Sequence, residues 1–284
     1  MLAIVLALGS AISYGGSDFA AGLAARSVSV IQVTLVASAT ALVAVAAAVP
    51  FAPAHPPAAA ALAWGAAAGL GGTLGAFALY LGFRHAAFSV AGPLSAVGTA
   101  GFSVLAGLLL GERPTALALA GIILALPAIV GVSASAAQQH ARPFAGVAAG
   151  LVAGACFALL LVGLDRAGTV ASGSGLWPVA AAQAAEVVVA VVVAAATRNI
   201  RWPGTRAGWL AVVTGATGAA GTVLFFLATH EGFLAVTAVL TSLYPAVTIV
   251  LAQALLGERL TRLRLAGLGL AALCVALIAA GGAG

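Results

Sequence analysis

The segment VLAGLLLGERPTALALAGIILA at residues 104–125 returns 146 residues later as VLAQALLGERLTRLRLAGLGLA at residues 250–271. Fifteen of the 22 positions are identical, including both GER triplets and the threonine that follows each. Chance would give roughly one in six for so alanine-rich a composition, so the chain reads as a duplication. Working outward from this segment, charged, Pro-rich or Gly/Ser-rich points cut the sequence into apolar runs. These lie near 2–25, 28–50, 58–83, 86–110, 115–135, 144–164, 175–196, 207–229, 233–256 and 262–282. Runs of about 20 residues are the length of a membrane-spanning helix. The prediction is an all-α polytopic membrane protein with ten transmembrane helices, five in residues 1–137 and five in residues 138–284. Because each copy crosses an odd number of times, the second must enter from the opposite side, and the two five-helix repeats are expected to be inverted.

Composition agrees. The 284 residues are 63% hydrophobic and only 6% charged, with a mean hydropathy of +1.21. A soluble domain carries about a quarter charged residues, and disorder needs low hydrophobicity; both classes are excluded. The net charge of +5 comes from eleven arginines and no lysine, scattered singly between apolar runs. They read as interfacial anchors, so the expected partner is the lipid bilayer and no nucleic acid. No charged leader precedes the first run, and residue 1 is expected to open the first span. Cys156 and Cys274 fall inside apolar runs, where a thiol packs as a small hydrophobe. No metal or cofactor is expected: there is no HExxH, and the run GLGGTLG at 69–75 follows no strand and lacks the lysine of a phosphate loop.

Several residues stand out against this apolar background. Glu186 lies midway along the seventh run, where an ionised acid costs about 2.5 to 3.5 kcal/mol on insertion scales. Gln183 precedes it by one turn on the same face. Together they suit a cavity wall, with Glu186 a candidate to load a proton from one side and release it to the other; the competing reading is a glutamic acid bonding a neighbouring helix or an arginine. Asp18 belongs to a polar stripe with Ser10, Tyr14 and Ser17 on the first helix, placed to hold a substrate amine or a proton. A second reading has that helix break at Gly15-Gly16, with Ser17 or Asp18 capping the next segment. Pro93 and Pro245 are expected to interrupt the fourth and ninth helices, freeing the carbonyls of Ser89 and Thr241. Ser95, Thr99 and Ser103 on one of these helices, and Thr237, Thr241, Tyr244 and Thr248 on the other, suit a wet cavity or helix-to-helix hydrogen bonds. Tyr244 is the favoured substrate contact among them. Glu112 and Glu258 occupy matching helix ends, each after a glycine (Gly111, Gly257) and beside an arginine; the favoured reading is a structural helix stop, and the competing one is a gate formed by such pairs. The four histidines and Asp165-Arg166 fall at expected helix ends. Glycines four apart (Gly146, Gly150, Gly154; Gly65, Gly69; Gly71, Gly75) predict close helix packing.

The ten runs in two halves, the first-helix element Tyr14-Gly15-Gly16-Ser17-Asp18 and the two corners Gly111-Glu112-Arg113-Pro114-Thr115 and Gly257-Glu258-Arg259-Leu260-Thr261 resemble the EamA-type branch of the drug/metabolite transporter (DMT) superfamily. The family usually carries Trp where this chain has Tyr14; the corresponding point of the second half is Phe157. The resemblance covers the whole chain. It implies a secondary transporter with a central cavity that takes small metabolites, amino acids or drugs, often for export.

The expected function is therefore secondary active transport of a small organic solute by alternating access in a bacterial-type cell membrane, with protons as candidate coupling ions, in a monomer or weak homodimer. The expected cavity set is Tyr14, Ser17, Asp18, Gln183, Glu186, Thr241 and Tyr244, with Glu186 and Asp18 as the proton-coupling pair. An intramembrane enzyme and a passive channel are the rivals; against the enzyme, the histidines lie at helix ends, away from any serine that could act with them. Loops after the first, third, fifth, seventh and ninth helices hold nine of the eleven arginines. The positive-inside rule places that side in the cytoplasm and both termini outside, whereas the family resemblance implies cytoplasmic termini; both orientations stand at this point.

Overall fold

The computed structural model describes residues 1–52, 55–85, 88–133, 143–171, 173–200, 203–257 and 261–281, and those residues contain helices and no strand. The helices are α1 (Leu2–Ala24), α2 (Val30–Ala48, followed by a short 3-10 turn), α3 (Ala59–His85), α4 (Phe88–Leu109), α5 (Ala116–Ser133) and α6 (Pro143–Val170). Then come α7 (Trp177–Ala196), α8 (Thr205–His230), α9 (Leu234–Thr241), α10 (Tyr244–Leu256) and α11 (Arg262–Gly281). Among the described residues, eight segments are long and apolar enough to cross a bilayer, α9 and α10 together forming one of them, Leu234–Leu256. Two shorter apolar helices, Leu94–Leu109 and Ala116–Gly131, are also present. The outer surface carries large apolar side chains such as Leu109 (88% exposed), Val43 (69%) and Ile123 (67%). Leaving such side chains in water costs about 1.5–3 kcal/mol each, so the surface is built for lipid. This is a polytopic membrane protein.

Small residues set the packing. Gly65 and Gly69 bring α3 against the carbonyls of Pro178 and Ala182 on α7, where a Cβ on either glycine would overlap backbone. Gly71 and Gly75 turn the other face of α3 onto Cys156 and Phe157 of α6, and Gly154 lets α6 approach Gly98 of α4. Close backbone approach is what drives association where lipid is as apolar as the side chains.

The pairings also fix helix directions. Gly121 faces Cys274 and Ile278 while Gly131 faces Gly267, so α5 and α11 run antiparallel. The start of α2 meets the end of α7, where Asn199 donates to Ser29 Oγ (3.0 Å). Beyond the far end of α2, the His55 N–H donates to the Gly173 carbonyl just before α7 begins (2.8 Å); α2 and α7 are antiparallel too. The corner after α4 lies against the first residues of α9, since Glu112 accepts from Leu234 and Ala235. Gly257 ends α10, at the opposite end of that span. Both corner glycines adopt left-handed backbone, φ +93° at Gly111 and +68° at Gly257, a conformation glycine enters without steric cost.

Three expectations change. The first helix does not break at Gly15-Gly16; α1 is continuous, because Gly15 serves close approach: a Cβ there would lie 2.5 Å from Val247 Cβ and 2.7 Å from the Tyr244 carbonyl. Asp165-Arg166 is not a helix end; α6 continues to Val170 with Asp165 buried (7% exposed), turned inward near Glu112. Finally, α4 runs through position 93 as one helix. Pro93 is its sixth residue, and losing one bond so near an N-terminus does not stop a helix. By contrast, the ninth span does break, at Ser242 and Leu243, and Pro245 sits in the first turn of α10, where its missing N–H has no acceptor to lose.

Candidate functional site

The repeat pairs each half's first helix with the other half's third. On α1, Ser10 Oγ donates to the Gly221 carbonyl (2.8 Å), the Tyr14 hydroxyl shares a 2.9 Å hydrogen bond with Thr222 Oγ1, and Ser17 Oγ donates to the Thr214 carbonyl (2.9 Å). The polar stripe thus turns inward onto α8. Tyr14's ring rests on Gly221, where a Cβ would come within 3.0 Å, and Phe157's ring rests on Gly75, where it would come within 2.7 Å. Those two glycines are 146 residues apart, the spacing of the repeat, so the rings occupy corresponding places in the two halves.

Between these rings lies a cavity of about 980 Å³. It is lined by Tyr14, Ser17, Asp18, Gln183, Glu186, Thr241 and Tyr244, so the seven residues singled out in the sequence come together around one space. Asp18 is exposed to it and Glu186 half-buried at its wall. The Glu186 carboxylate lies over Gly72 of α3, 2.9 Å from where a Cβ would be. Tyr14 is within electrostatic reach of both acids. Gln183 is 99% buried, as its 1% exposure states, and its side-chain oxygen has no partner among the described residues; the same holds for Ser242 Oγ, which also lines the cavity. An unpaired buried polar atom costs about 1–3 kcal/mol, a cost that a bound molecule or water at the site can relieve.

The cavity reaches Arg26, Val30 and Leu256, where α1 and α10 end and α2 begins. Arg206 joins Arg26 beside that mouth, the arginine-rich end of the bundle. At the other end Thr99, Thr222, Thr241 and Ser242 form the floor. Below the floor is apolar core: Ala3, Ile4, Ala7, Val236, Val239 and Leu240 on one side, Leu164, Phe225 and Leu234 on the other, none more than 3% exposed. The space is open to one end and blocked toward the other.

At the blocked end Glu112 does more than follow a helix. Its two carboxylate oxygens accept from the first two N–H groups of α9, Leu234 and Ala235, the second at 2.9 Å, and α9 has no side-chain cap of its own at Phe233. Glu112 caps, in trans, a helix 122 residues away. Glu258 of the second corner lies outside the described residues, as do the side chain of Pro93 and the whole of Arg259. Of the remaining hydroxyls, Thr237 bonds the Phe233 carbonyl of its own helix, Thr241 reaches the Ala7 carbonyl (3.5 Å), and Thr248 donates to the Gly15 carbonyl (3.2 Å). Not anticipated from sequence were Thr214, Gly218 and Thr222, which step along α8 at four-residue spacing into the cavity; that periodicity was available to find them. No group of three or more metal-ligating side chains occurs among the described residues.

No curated protein matches the chain in sequence. In fold it is similar to a protein of known crystal structure at a TM-score of 0.76 and 17% identity, over 97% of this chain and 95% of that one. Residues 1–134, which contain α1 to α5, match the model of the EamA-like transporter family. The matched part, just under half of the chain, holds the Tyr14 element and the Gly111-Glu112 corner, and in that part the chain is similar to the EamA-like transporters.

Proposed function

We propose that this protein is a secondary active transporter that carries a small organic solute across a bacterial-type cell membrane by alternating access, in the export direction, with Glu186 and Asp18 as its proton-coupling groups. It does so as ten spans in two inverted five-helix halves, residues 1–137 and 138–284, and catalyses no reaction. One observation carries this reading: a large cavity, lined by both halves, is open at one end and blocked at the other. The antiparallel course of α2 against α7, and of α5 against α11, supports the inversion. Two inverted halves can exchange which end is open at little net energy, because each arrangement resembles the other turned over. The blocked end is latched by Glu112 on α9. Glu258 occupies the matching position of the repeat, and in this reading it latches the other end once the cavity has turned. The mouth beside Arg26 and Arg206 is cytoplasmic by the positive-inside rule.

The test is counterflow in liposomes holding purified protein. A carrier exchanges labelled for unlabelled solute with saturation; ohmic, non-saturating flux supports a passive channel instead. Solutes for the assay come from a metabolite screen read as thermal stabilisation, since any ligand that binds only the folded state raises its melting temperature.

A further inference from the structure

The transport reading leaves the solute open, and the wall of the cavity narrows it. The charged side chains lining its interior, among the described residues, are two acids, Asp18 from α1 and Glu186 from α7. The cation of the lining, Arg26, stands at the mouth and is exposed. Neither acid has an ion pair or hydrogen bond within the described residues. Gln183 adds a buried side-chain oxygen without a partner on the same wall, one turn from Glu186. The site therefore offers acceptors in excess, and a ligand that satisfies it must bring N–H donors and positive charge. Around these acceptors stand the rings of Tyr14, Phe19, Phe157 and Tyr244, surfaces that suit an apolar body and attract a cation through their π faces.

We propose, resting on the transport reading above, that the solute is an organic ammonium ion: a primary or secondary amine on an apolar or aromatic body, held between Asp18 and Glu186 with its body against Tyr14, Phe157 and Tyr244. An anion of the same shape would meet two carboxylates, and a neutral isostere would leave Gln183 and the acids without charge-assisted donors. The volume of about 980 Å³ lies at the upper end of the usual range for ligand pockets and leaves room for water beside a compact amine.

Three probes that share a phenylethyl body test this on the purified, reconstituted protein: 2-phenylethylamine, 2-phenylethanol and 3-phenylpropanoate. Binding is read by thermal stabilisation and transport by counterflow. The amine is expected to bind at least tenfold more tightly than the alcohol, with no saturable binding of the carboxylate. Asp18→Asn and Glu186→Gln, each isosteric and checked for an unchanged elution profile and melting curve, should each weaken the amine at least tenfold and leave the alcohol where it was. Equal or tighter binding of the alcohol or carboxylate overturns the proposal, as does an amine affinity that neither substitution changes. The two readings fail separately: saturable counterflow of the carboxylate alone keeps the carrier and removes the ammonium specificity. Amine binding without any exchange keeps the specificity and removes the carrier.

Discussion

Glu112→Gln isolates the latch at the blocked end. In the structure the carboxylate accepts two hydrogen bonds from the opening turn of α9, at Leu234 and Ala235, and that turn has no other side-chain cap. A glutamine keeps one acceptor and loses both the second bond and the attraction between a negative charge and a helix N-terminus. A hydrogen bond to a charged group is worth about 1.5–3 kcal/mol, which corresponds to about a 10- to 100-fold shift between two conformations if the bond exists in only one of them. The assay is labelling of a cysteine at Thr214, partly exposed on the cavity wall, by an impermeant thiol reagent in sealed vesicles, with Cys156 and Cys274 replaced by serine. With Glu112 intact the cysteine should label from the arginine-rich end; with Glu112→Gln, labelling from the opposite end should rise by about tenfold or more. An unchanged ratio between the two sides would refute the assignment of Glu112 as a latch and leave it a plain structural cap.

Other consequences are as direct. Glu186→Gln should abolish proton-driven flux while leaving solute exchange measurable by counterflow; unaltered proton-driven flux removes Glu186 from coupling. Gly15→Ala places a methyl 2.5 Å from Val247 Cβ and should cost about 1–3 kcal/mol of stability, seen as a lower melting temperature. Gly16→Ala, with nothing within 4 Å, should be neutral or stabilise the helix by up to about 1 kcal/mol, so equal melting temperatures for the two neighbours would contradict the close packing of α1 on α10. Gly75→Ala meets the Phe157 ring at 2.7 Å and should lower transport rate together with stability, since the displaced ring lines the cavity; a variant with normal flux would show that the ring's place is unimportant.

Much of this was legible because the membrane makes sequence simple. With only 6% charged residues, a single acid such as Glu186 stands out, and apolar runs coincide with helices: 175–196 with α7 (Trp177–Ala196), and 262–282 with α11 (Arg262–Gly281). The seven candidate cavity residues stand out in the sequence through the cost of placing polar atoms in lipid and through helical spacing, both of which apply without knowing the partner helix. Close packing at Gly65, Gly69, Gly71 and Gly75 is legible too, but which partner meets a given residue is not. Gly15-Gly16 resembles a helix break until Val247 and the Tyr244 carbonyl are seen filling the space above Gly15. Asp165-Arg166 resembles a helix end, yet the helix runs on and carries Asp165 inward. Pro93 and Pro245 look equivalent in sequence, but only the second follows a break, because position within the helix decides what a proline removes. Glu112's role was also hidden: nothing near it in sequence shows that α9 begins without a cap.

The central claim is that the two halves thread the bilayer in opposite senses, and sidedness of their corners measures it most directly. Single cysteines at Arg113, after the first corner, and at Arg262, at the start of α11, in a background without Cys156 and Cys274, are treated in intact cells with an impermeant thiol reagent. The account predicts that the cysteine at 113 labels from outside and that at 262 only after the membrane is opened. Labelling of both from the same side would contradict it.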